Sequence, residues 1–440
     1  MTTTTPIVDD AITEARARGH GPLEYLQSRG YVQDVSDPDG LREAFAAGVV
    51  TAYVGFDPTA PSLHVGHMLG MMMLASLQRF GHRPIALGGG GTALVGDPSG
   101  KTSTRAIATE AEIRSNLESI LPQFERYLDF AGNRWGDNPP ALLLNNADWL
   151  LSLRYISFLR DIGRHFSVNE MLAAETYRTR LETTGLNFVE FNYRLVQAYD
   201  FLHLFRTEGC TLQMGGSDQW GNIVAGVELI RKADGEHAFA LVCPLLTTSS
   251  GEKMGKSEGN SLWLDPELTS PYDFYQYWIN VDDSDVERLL RLYTFLPESR
   301  IAELTRTEGV GLREAKQTLA REVTTLTHGE AAATSAEAAT RALFSGAPDV
   351  DDPNIPTMEI PTTYLSTMSI AALFAGAGLV PSRGEARRKA KEGALWIDGE
   401  RVTDVDQPFR WTGKDSLLRF GKKRYCRIRI VPDPNHLRSS

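Results

Sequence analysis

The feature that most constrains the fold is an alternation of short apolar runs with longer helical stretches in the first half of the chain. Val49–Phe56 is a β-branched, apolar run that ends in Asp-Pro. Further runs and helical stretches follow at Gly66–Phe80, Pro84–Leu87, Ala141–Leu144, Glu190–Arg206, Leu212–Met214 and Asp218–Lys232. This alternation predicts an α/β fold with a mostly parallel sheet covered by helices, in which ligands bind at the carboxyl ends of the strands.

The character of the sequence changes after Pro271. Residues 271–344 show helical periodicity with few strand signals, and 345–361 are rich in proline and aspartate, which is typical of a linker. The remaining residues look helical at first and then form short strands. A chain of 440 residues is too long for one ordinary core. We therefore predict an α/β domain over 1–270, a helical domain over 271–345, a linker over 346–361 and a small α+β domain over 362–440.

Charge is distributed unevenly along the chain. The net charge is −11, yet residues 381–430 contain 14 Lys and Arg against 7 Asp and Glu. A basic end on an acidic body indicates an RNA-binding appendage. A lysine-rich face in contact with water is an equally good interpretation of the charge alone.

The composition favours a cytoplasmic protein without membrane segments. Apolar residues make up 42% and charged residues 23%, as in ordinary soluble proteins. No run approaches the roughly 18 apolar residues of a membrane span. The first residues, Met-Thr-Thr-Thr-Thr-Pro, have neither the basic nor the apolar region of a signal peptide. The three cysteines lie far apart, without a CxxC spacing, so a reducing compartment is expected.

The short motif His64-Val-Gly-His67 follows a predicted strand and turn and opens the predicted helix Gly66–Phe80. Helix N-termini attract phosphate, and two imidazoles there can donate hydrogen bonds to a transferring phosphoryl group. Gly66 lets a nucleotide approach the backbone closely. A pair of surface histidines or an HxxH metal site is the alternative. Because no nearby Cys/His cluster supplies further ligands, we predict no protein-bound metal.

A second motif, Lys253-Met-Gly-Lys256-Ser257, lies much further along the chain. Two lysines on a small, glycine-bearing loop can reach the negative charge that develops on pyrophosphate. A charged, exposed loop is the alternative, and for this motif alone it is the better interpretation. Together and in this order, the two motifs resemble the HIGH and KMSKS nucleotide motifs of class I aminoacyl-tRNA synthetases.

The glycine-rich stretch Gly88–Ala93 fits the pattern GxGxx(G/A), a weak dinucleotide fingerprint. The end of this region resembles a P-loop, but Val95 stands where that motif requires glycine. We interpret Gly88–Gly91 as a place where the backbone passes close to a ligand. Lys101 and Arg105 are then a phosphate-facing pair, with charges in contact with water as the alternative.

Four further segments are similar to bacterial tyrosyl-tRNA synthetases and occur in the family's order. They are Tyr53-Val-Gly-Phe-Asp57-Pro-Thr59, Gly96-Asp97-Pro-Ser-Gly-Lys101, Tyr193-(x3)-Gln197-Ala-Tyr-Asp200 and Gly215-Gly-Ser-Asp218-Gln219-Trp220-Gly221-Asn222. Pro381–Arg388 and Gly393–Gly399 resemble the family's S4-type RNA-binding domain. The departures are small: Val65 replaces the usual isoleucine of HIGH, and Gly255 replaces the first serine of KMSKS. Neither change removes a charged or imidazole group.

The resemblance implies a Rossmann-like catalytic domain and assigns residues to three sites. The tyrosine site would contain Tyr53, Asp97, Tyr193, Gln197, Asp200 and Gln219. The ATP site would contain Gly55, Asp57, His64, His67, Gly216, Asp218 and Lys256. His64, His67, Lys253 and Lys256 would catalyse adenylation, assisted by Thr59, Lys101 and Arg105. The spacing of Tyr193, Gln197 and Asp200 places them on one helix face, which agrees with a common pocket.

The activity implied by the resemblance is that of an ATP-dependent ligase. It would activate L-tyrosine as tyrosyl-adenylate and transfer the tyrosyl group to the 3'-terminal adenosine of tRNA(Tyr). Mg²⁺ would arrive with ATP rather than in a protein site. The S4-like domain would bind tRNA through Arg383, Arg387, Arg388 and Lys391, and the family implies a homodimer.

Three other functions remain open. Tryptophanyl-tRNA synthetases share the catalytic fold, but Tyr53 with Asp200 and the S4-like tail favour tyrosine. An RNA-binding protein built on an inactive synthetase is the second, although the motif histidines and lysines are all present. A nicotinamide-dependent oxidoreductase is the third, and it leaves the lysine loop and the basic tail unexplained.

Overall fold

The structure is a computed structural model. It describes residues 7–97, 109–173, 177–178, 181–182, 185–247, 254, 256–257, 260–306, 310–344, 355–364, 368–421 and 424–433. The chain forms two compact units, one of residues 1–269 and 277–328 and the other of residues 270–276 and 329–440. This division does not test the predicted domain limits at 270, 345 and 361, which stay predictions.

The first unit is built on a six-stranded sheet. Its strands are β1 (Asp34–Val35), β2 (Thr51–Phe56), β3 (Arg83–Gly88), β4 (Leu142–Asn145), β5 (Cys210–Gly216) and β6 (Phe239–Cys243). They lie in the order β1-β6-β5-β2-β3-β4, and all neighbouring pairs are parallel except β1 with β6. The predicted α/β fold with a mostly parallel sheet is therefore confirmed.

The predicted strands and helices of this sheet agree with the structure to within about two residues at their ends, as is usual for element boundaries. Sequence analysis missed β6, although all five of its residues are buried. A continuous apolar run of this length is ambiguous between strand and helix, and only the pairing with β5 decides it.

Helices pack against the sheet, among them Val65–Arg79 on β2 and β3, Phe188–Glu208 on β5 and Trp220–Asp234 on β5 and β6. The longest, Phe188–Glu208, begins at a capping box in which Asn187 and Glu190 each accept a hydrogen bond from the other's backbone N–H. It ends at Gly209, whose φ of 62° few other residues adopt readily. The helices described in this unit are Asp10–Ala17, Pro22–Ser28, Pro38–Ala47, Val65–Arg79, Thr92–Val95, Glu110–Ile120, Ala147–Leu150, Tyr155–Asp161, Val168–Ala173, Phe188–Glu208, Trp220–Asp234, Val286–Tyr293, Glu298–Thr305 and Val310–His328. A further helix, Pro271–Ile279, has residues in each unit.

The N-terminal segment carries none of the motifs that resemble the synthetase family. An ion pair between Asp9 and Arg79 anchors it to this unit. The Arg79 guanidinium also lies 3.4 Å from the centre of the Phe295 ring and 4.6 Å from that of Trp135. Burial lowers the pKa of Arg79, and Asp9 opposes this change by raising it. Because a buried charge that loses its partner is costly, this ion pair fixes the first helix against the core.

The second unit contains a five-stranded sheet and three helices with described bounds. The strands are β9 (Thr357–Pro361), β10 (Leu395–Ile397), β11 (Glu400–Arg401), β12 (Ser416–Phe420) and β13 (Arg424–Val431), and they lie in the order β11-β10-β12-β13-β9. The strands β7 (Lys256–Ser257) and β8 (Asn260–Ser261) form a separate pair that belongs to the first unit. The helices are Glu330–Phe344, Ile370–Gly376 and Arg383–Lys391. Helices followed by short strands were predicted here, but β9, which pairs in parallel with β13, was not.

Candidate active site

A cavity of about 580 Å³ opens at the carboxyl ends of β2, β5 and β6. This is the edge where a parallel sheet binds its ligands, as the sequence predicts. The structure brings thirteen of the predicted site residues together in its lining, namely Tyr53, Gly55, Asp57, Thr59, His64, His67, Asp97, Tyr193, Gln197, Asp200, Gly216, Asp218 and Gln219.

The Asp200 carboxyl group is a buried polar group in the lining of this cavity. It accepts hydrogen bonds from Asn146 Nδ2 at 2.8 Å and from Trp149 Nε1 at 2.7 Å. Tyr53 is 1% exposed, and its hydroxyl has no hydrogen-bond partner among the described residues. A buried hydroxyl without a partner is costly, so a ligand with a polar group at this end of the cavity would stabilise it.

Sequence analysis missed Asn146 and Trp149. Asn146 is nearly inaccessible to water and connects three parts of the site. Its Nδ2 donates to Thr92 Oγ1 at 3.0 Å as well as to Asp200, and its Oδ1 accepts the Gly91 backbone N–H at 2.7 Å. The only signal in the sequence is that Asn146 lies two residues after the predicted strand Ala141–Leu144, near the carboxyl end where ligands of α/β sheets bind.

Burial raises the pKa of Asp200 from its ordinary value of 3.8 to about 8, although Asn146 and Trp149 lower it. The unfolded chain loses this proton near its ordinary pKa, so between about pH 4 and pH 8 the folded protein binds more protons. The free energy of unfolding must therefore fall as pH rises through this window, by at most about 1.4 kcal/mol per pH unit. We expect this slope in urea unfolding of the unaltered protein and its loss in Asp200→Asn. Parallel pH profiles for the two proteins would contradict the assignment.

Another part of the cavity lining is formed by acidic and amide side chains that are hydrogen-bonded to one another. Gln219 Nε2 donates to Asp97 Oδ2 at 2.7 Å and lies 3.4 Å from Asp218 Oδ2. The Tyr193 hydroxyl donates to Asp57 Oδ2 at 3.3 Å. Gln197 Oε1 is buried and has no hydrogen-bond partner among the described residues. Several oxygen acceptors therefore converge where an ammonium group could bind.

The two histidines of the first motif form the N-terminus of the helix Val65–Arg79. His64 is the N-cap, and the rings of His64 and His67 stack with their centres 4.0 Å apart. His64 Nδ1 accepts the Gly66 N–H at 3.0 Å, and His67 Nδ1 accepts the His64 N–H at 3.1 Å. Because each Nδ1 is an acceptor, each neutral ring carries its proton on Nε2 and can donate there. Burial and the neighbouring His64 lower the pKa of His67 to about 3, so it stays neutral at physiological pH.

The segment after the second motif is held against this helix start by backbone hydrogen bonds. Val65 donates to Leu262 at 3.1 Å, and Leu264 donates to Leu63 at 2.9 Å. Met254, inside the motif, lines the cavity. Lys101, Arg105 and Lys253 lie outside the described residues, as does the side chain of Lys256, so their predicted roles stay predictions.

The interpretation of Gly88–Gly91 as a close approach of the backbone to a ligand stays a prediction, and Gly89 lines the cavity. A Cβ on Gly89 would lie 2.0 Å from Asp57 Oδ1, and one on Gly90 would lie 2.3 Å from Asn145 Oδ1. These two glycines therefore also make room for the protein's own polar side chains. Gly55, a predicted ATP contact, is exposed and has no atom near its Cβ position.

The predicted RNA-binding residues lie on the helix Arg383–Lys391, whose side chains Ala386 and Ala390 are buried. Arg383, Arg387, Arg388 and Lys391 are all exposed. Arg387 pairs with Asp406 at 2.7 Å, and Arg388 pairs with Glu385 at 2.7 Å. Such exposed pairs are weak and exchange readily for contacts with phosphate.

Comparison with known proteins places this geometry in a family. A model of the class I tRNA synthetases (W and Y) matches residues 46–345, and a model of the tyrosine–tRNA ligase SYY-like C-terminal domain matches residues 352–428. The chain belongs to the class I tRNA synthetase family. A tyrosine–tRNA ligase of Clostridium kluyveri is 48% identical over 92% of this chain and 98% of that protein. One from Caldanaerobacter subterraneus is 48% identical over 93% of this chain and 99% of its own length.

Solved structures agree with this family. A C-terminally truncated mitochondrial tyrosyl-tRNA synthetase of Aspergillus nidulans matches with a TM-score of 0.68 at 32% identity, covering 76% of this synthetase and 98% of that chain. A tryptophanyl-tRNA synthetase of Aeropyrum pernix matches with a TM-score of 0.52 at 18% identity and covers 75% of this chain and 90% of that one, which shows a common fold alone.

Within the described part of the synthetase, no group of three or more His, Cys, Asp or Glu side chains is arranged to hold a metal ion. None of the described helices is long and apolar enough to span a membrane.

Proposed function

We propose that this protein is a tyrosine–tRNA ligase that activates L-tyrosine with ATP and transfers the tyrosyl group to the 3'-terminal adenosine of tRNA(Tyr). The observation that carries the choice of amino acid is the buried Asp200 carboxyl group in the cavity, together with the Tyr53 hydroxyl, which has no hydrogen-bond partner in the described part of the chain. The phenol of tyrosine supplies a polar group that can bond to the Tyr53 hydroxyl and to the Asp200 carboxyl group. A phenylalanine ring would leave the buried Tyr53 hydroxyl unpaired.

In the first step, the tyrosine carboxylate attacks the α-phosphate of ATP, and pyrophosphate leaves. The carboxylate is already ionised, so catalysis comes from positioning and charge stabilisation rather than from a strong base. The acceptors Asp97, Tyr193 and Gln197 would hold the ammonium group. His64 and His67 would donate Nε2–H to the phosphates, and Lys253 and Lys256, with Thr59, Lys101 and Arg105, would stabilise the charge that develops on pyrophosphate.

ATP would be bound by Gly55, Asp57, Gly216 and Asp218 with the two histidines, and it would bring Mg²⁺ with it. In the second step, the terminal ribose hydroxyl of the tRNA takes the tyrosyl group. The exposed basic helix Arg383–Lys391 would bind the tRNA backbone. A cytoplasmic location is consistent with three buried cysteines that remain free thiols.

A homodimer is part of this proposal. Large apolar side chains are exposed on neighbouring helices of the first unit: Leu151, Tyr155, Ile156, Leu159, Val168, Leu172 and Phe188. Apolar side chains exposed in this number commonly mark an interface. We expect Ile156→Glu, at a residue 73% exposed, to shift the protein to monomers in analytical ultracentrifugation, whereas Leu268→Glu, at another exposed apolar residue, leaves the dimer intact. A monomeric unaltered protein would contradict the prediction.

The direct test of the proposed function is exchange of pyrophosphate into ATP with each of the twenty amino acids in parallel. Exchange that depends on tyrosine alone supports the proposal. Exchange with tryptophan would keep the fold and overturn the assignment of Tyr53 and Asp200. No exchange from folded protein would favour an RNA-binding protein without synthetase activity.

A further inference from the structure

A second cavity, of about 390 Å³, lies at the opposite edge of the first unit's sheet. Val49 and His82 line it, and they come just before β2 and β3 respectively. The active-site cavity opens at the carboxyl ends of strands, so the two cavities are separate. The lining is Arg16, His20, Phe45, Val49, Phe80 and His82, with glycines and one proline between them.

The most informative side chain of this cavity is His82, which is 5% exposed. Its Nδ1 accepts the Val50 backbone N–H at 3.2 Å, so the neutral ring carries its proton on Nε2. Nε2 has no hydrogen-bond partner among the described residues. The Phe45 ring packs against the imidazole at 4.7 Å and fixes it. The His82 Nε2–H is therefore an accessible donor on a largely buried ring in the cavity lining.

Arg16 and His20 add donors to the same cavity. Arg16 Nη2 donates to the Phe80 carbonyl at 3.3 Å, which leaves other guanidinium N–H groups available. Burial, with a smaller contribution from the positive charge of Arg16, lowers the pKa of His82 to about 4. The Arg16 charge is therefore near enough to act on the His82 ring. The His20 ring makes no ion pair or hydrogen bond with any described residue. None of the residues that line the cavity is Asp or Glu.

The remaining wall of the cavity is apolar and aromatic. This wall consists of Phe45, Phe80, Pro22 and Val49, and Val49 is 61% exposed. The Arg16 guanidinium lies over the Phe80 ring, 5.6 Å from its centre. The cavity is open to solvent, and a small molecule bound in it would contact both the apolar wall and the donors of Arg16, His20 and His82.

We propose that this cavity binds a small organic anion in which a phosphate or carboxylate group is attached to a flat, apolar ring. Arg16, His20 and His82 bind the oxyanion, and Phe45 and Phe80 pack against the ring. Arg16 and His20 precede the segment 46–345 that the family model matches, so the site depends on the N-terminal segment of this chain. It is independent of the proposed function.

The test is calorimetric titration of the full chain with phenyl phosphate, benzoate and inorganic phosphate. We expect at least one ring-bearing anion to bind ten or more times tighter than inorganic phosphate, and the tighter of the two identifies the preferred oxyanion. Histidine ring NMR, with the His82 signal assigned from His82→Gln, should show the pKa of His82 rising from about 4 when that anion binds.

Arg16→Gln and His20→Gln should each weaken this binding about tenfold or more. Arg18→Gln is the matched control, because it removes the same charge next to the same helix while Arg18 pairs with Glu14 outside the cavity. Pyrophosphate exchange should be unchanged in all three variants. No binding at millimolar concentration, equal affinity for the three probes, or equal losses in Arg16→Gln and Arg18→Gln would overturn the site.

Discussion

Replacing Asp200 by alanine is expected to lower kcat/KM for tyrosine in pyrophosphate exchange by two to three orders of magnitude. The phenol loses a hydrogen bond to the buried Asp200 carboxyl group, worth about 0.5–1.5 kcal/mol, and it is left buried without that partner, which costs about 1–3 kcal/mol. Phenylalanine has no hydroxyl that could bond to Asp200, so the low kcat/KM for phenylalanine should change no more than about threefold. The ratio of kcat/KM for tyrosine to that for phenylalanine should therefore fall by nearly the same two to three orders of magnitude.

The exchange assay with both amino acids measures this ratio directly. Glu208→Ala is the matched control, since it removes another carboxylate from the same helix, Phe188–Glu208, at its last residue outside the cavity. Equal losses for tyrosine and phenylalanine in Asp200→Ala would show general damage to the cavity. They would contradict a role for Asp200 in recognising the phenol.

Removal of the C-terminal sheet domain is expected to reduce tRNA charging at least a hundredfold while adenylation changes no more than about threefold. The structure determines where the chain should be cut. A cut at residue 362, the predicted domain limit, would leave β9 without β13, its parallel partner. An unpaired strand exposes backbone groups that promote aggregation. The truncation should therefore end before Ile355, so that the whole five-stranded sheet is removed.

Two measurements separate tRNA binding from folding in this experiment. Pyrophosphate exchange, which needs no tRNA, reports whether the remaining protein is intact. In the full chain, Arg383→Gln combined with Lys391→Gln should weaken tRNA binding and reduce its dependence on salt, because phosphate contacts release counterions. Retained charging by the truncated protein at low enzyme concentration would refute the assignment of tRNA binding to this domain.

Local sequence patterns determined much of this structure. The alternation of apolar runs and helical stretches predicted the parallel sheet, because both periodicities are properties of neighbouring residues. The helix that carries Tyr193, Gln197 and Asp200 was predicted to present them on one face, and all three line the cavity. The position of His64 at a helix start followed from the strand and turn before it.

Contacts between distant segments could not be predicted in this way. Asn146 is 54 residues from Asp200 and 54 from Thr92, yet it bonds to both. The raised pKa of Asp200 comes mainly from burial, which is a property of the packed core rather than of the sequence around it. The side chains that approach Gly89 and Gly90 most closely, Asp57 and Asn145, also come from distant segments of the chain.

The sequence by itself determined the fold class, the family and the residue types of the site, because these depend on periodicity and on motifs within short segments. Only the tertiary structure decided which side chains hold the Asp200 carboxyl group and that His82 and Arg16 share a second cavity. The physical reason is that hydrogen bonding and burial depend on distance in space. Residues far apart in the chain supply most of the partners.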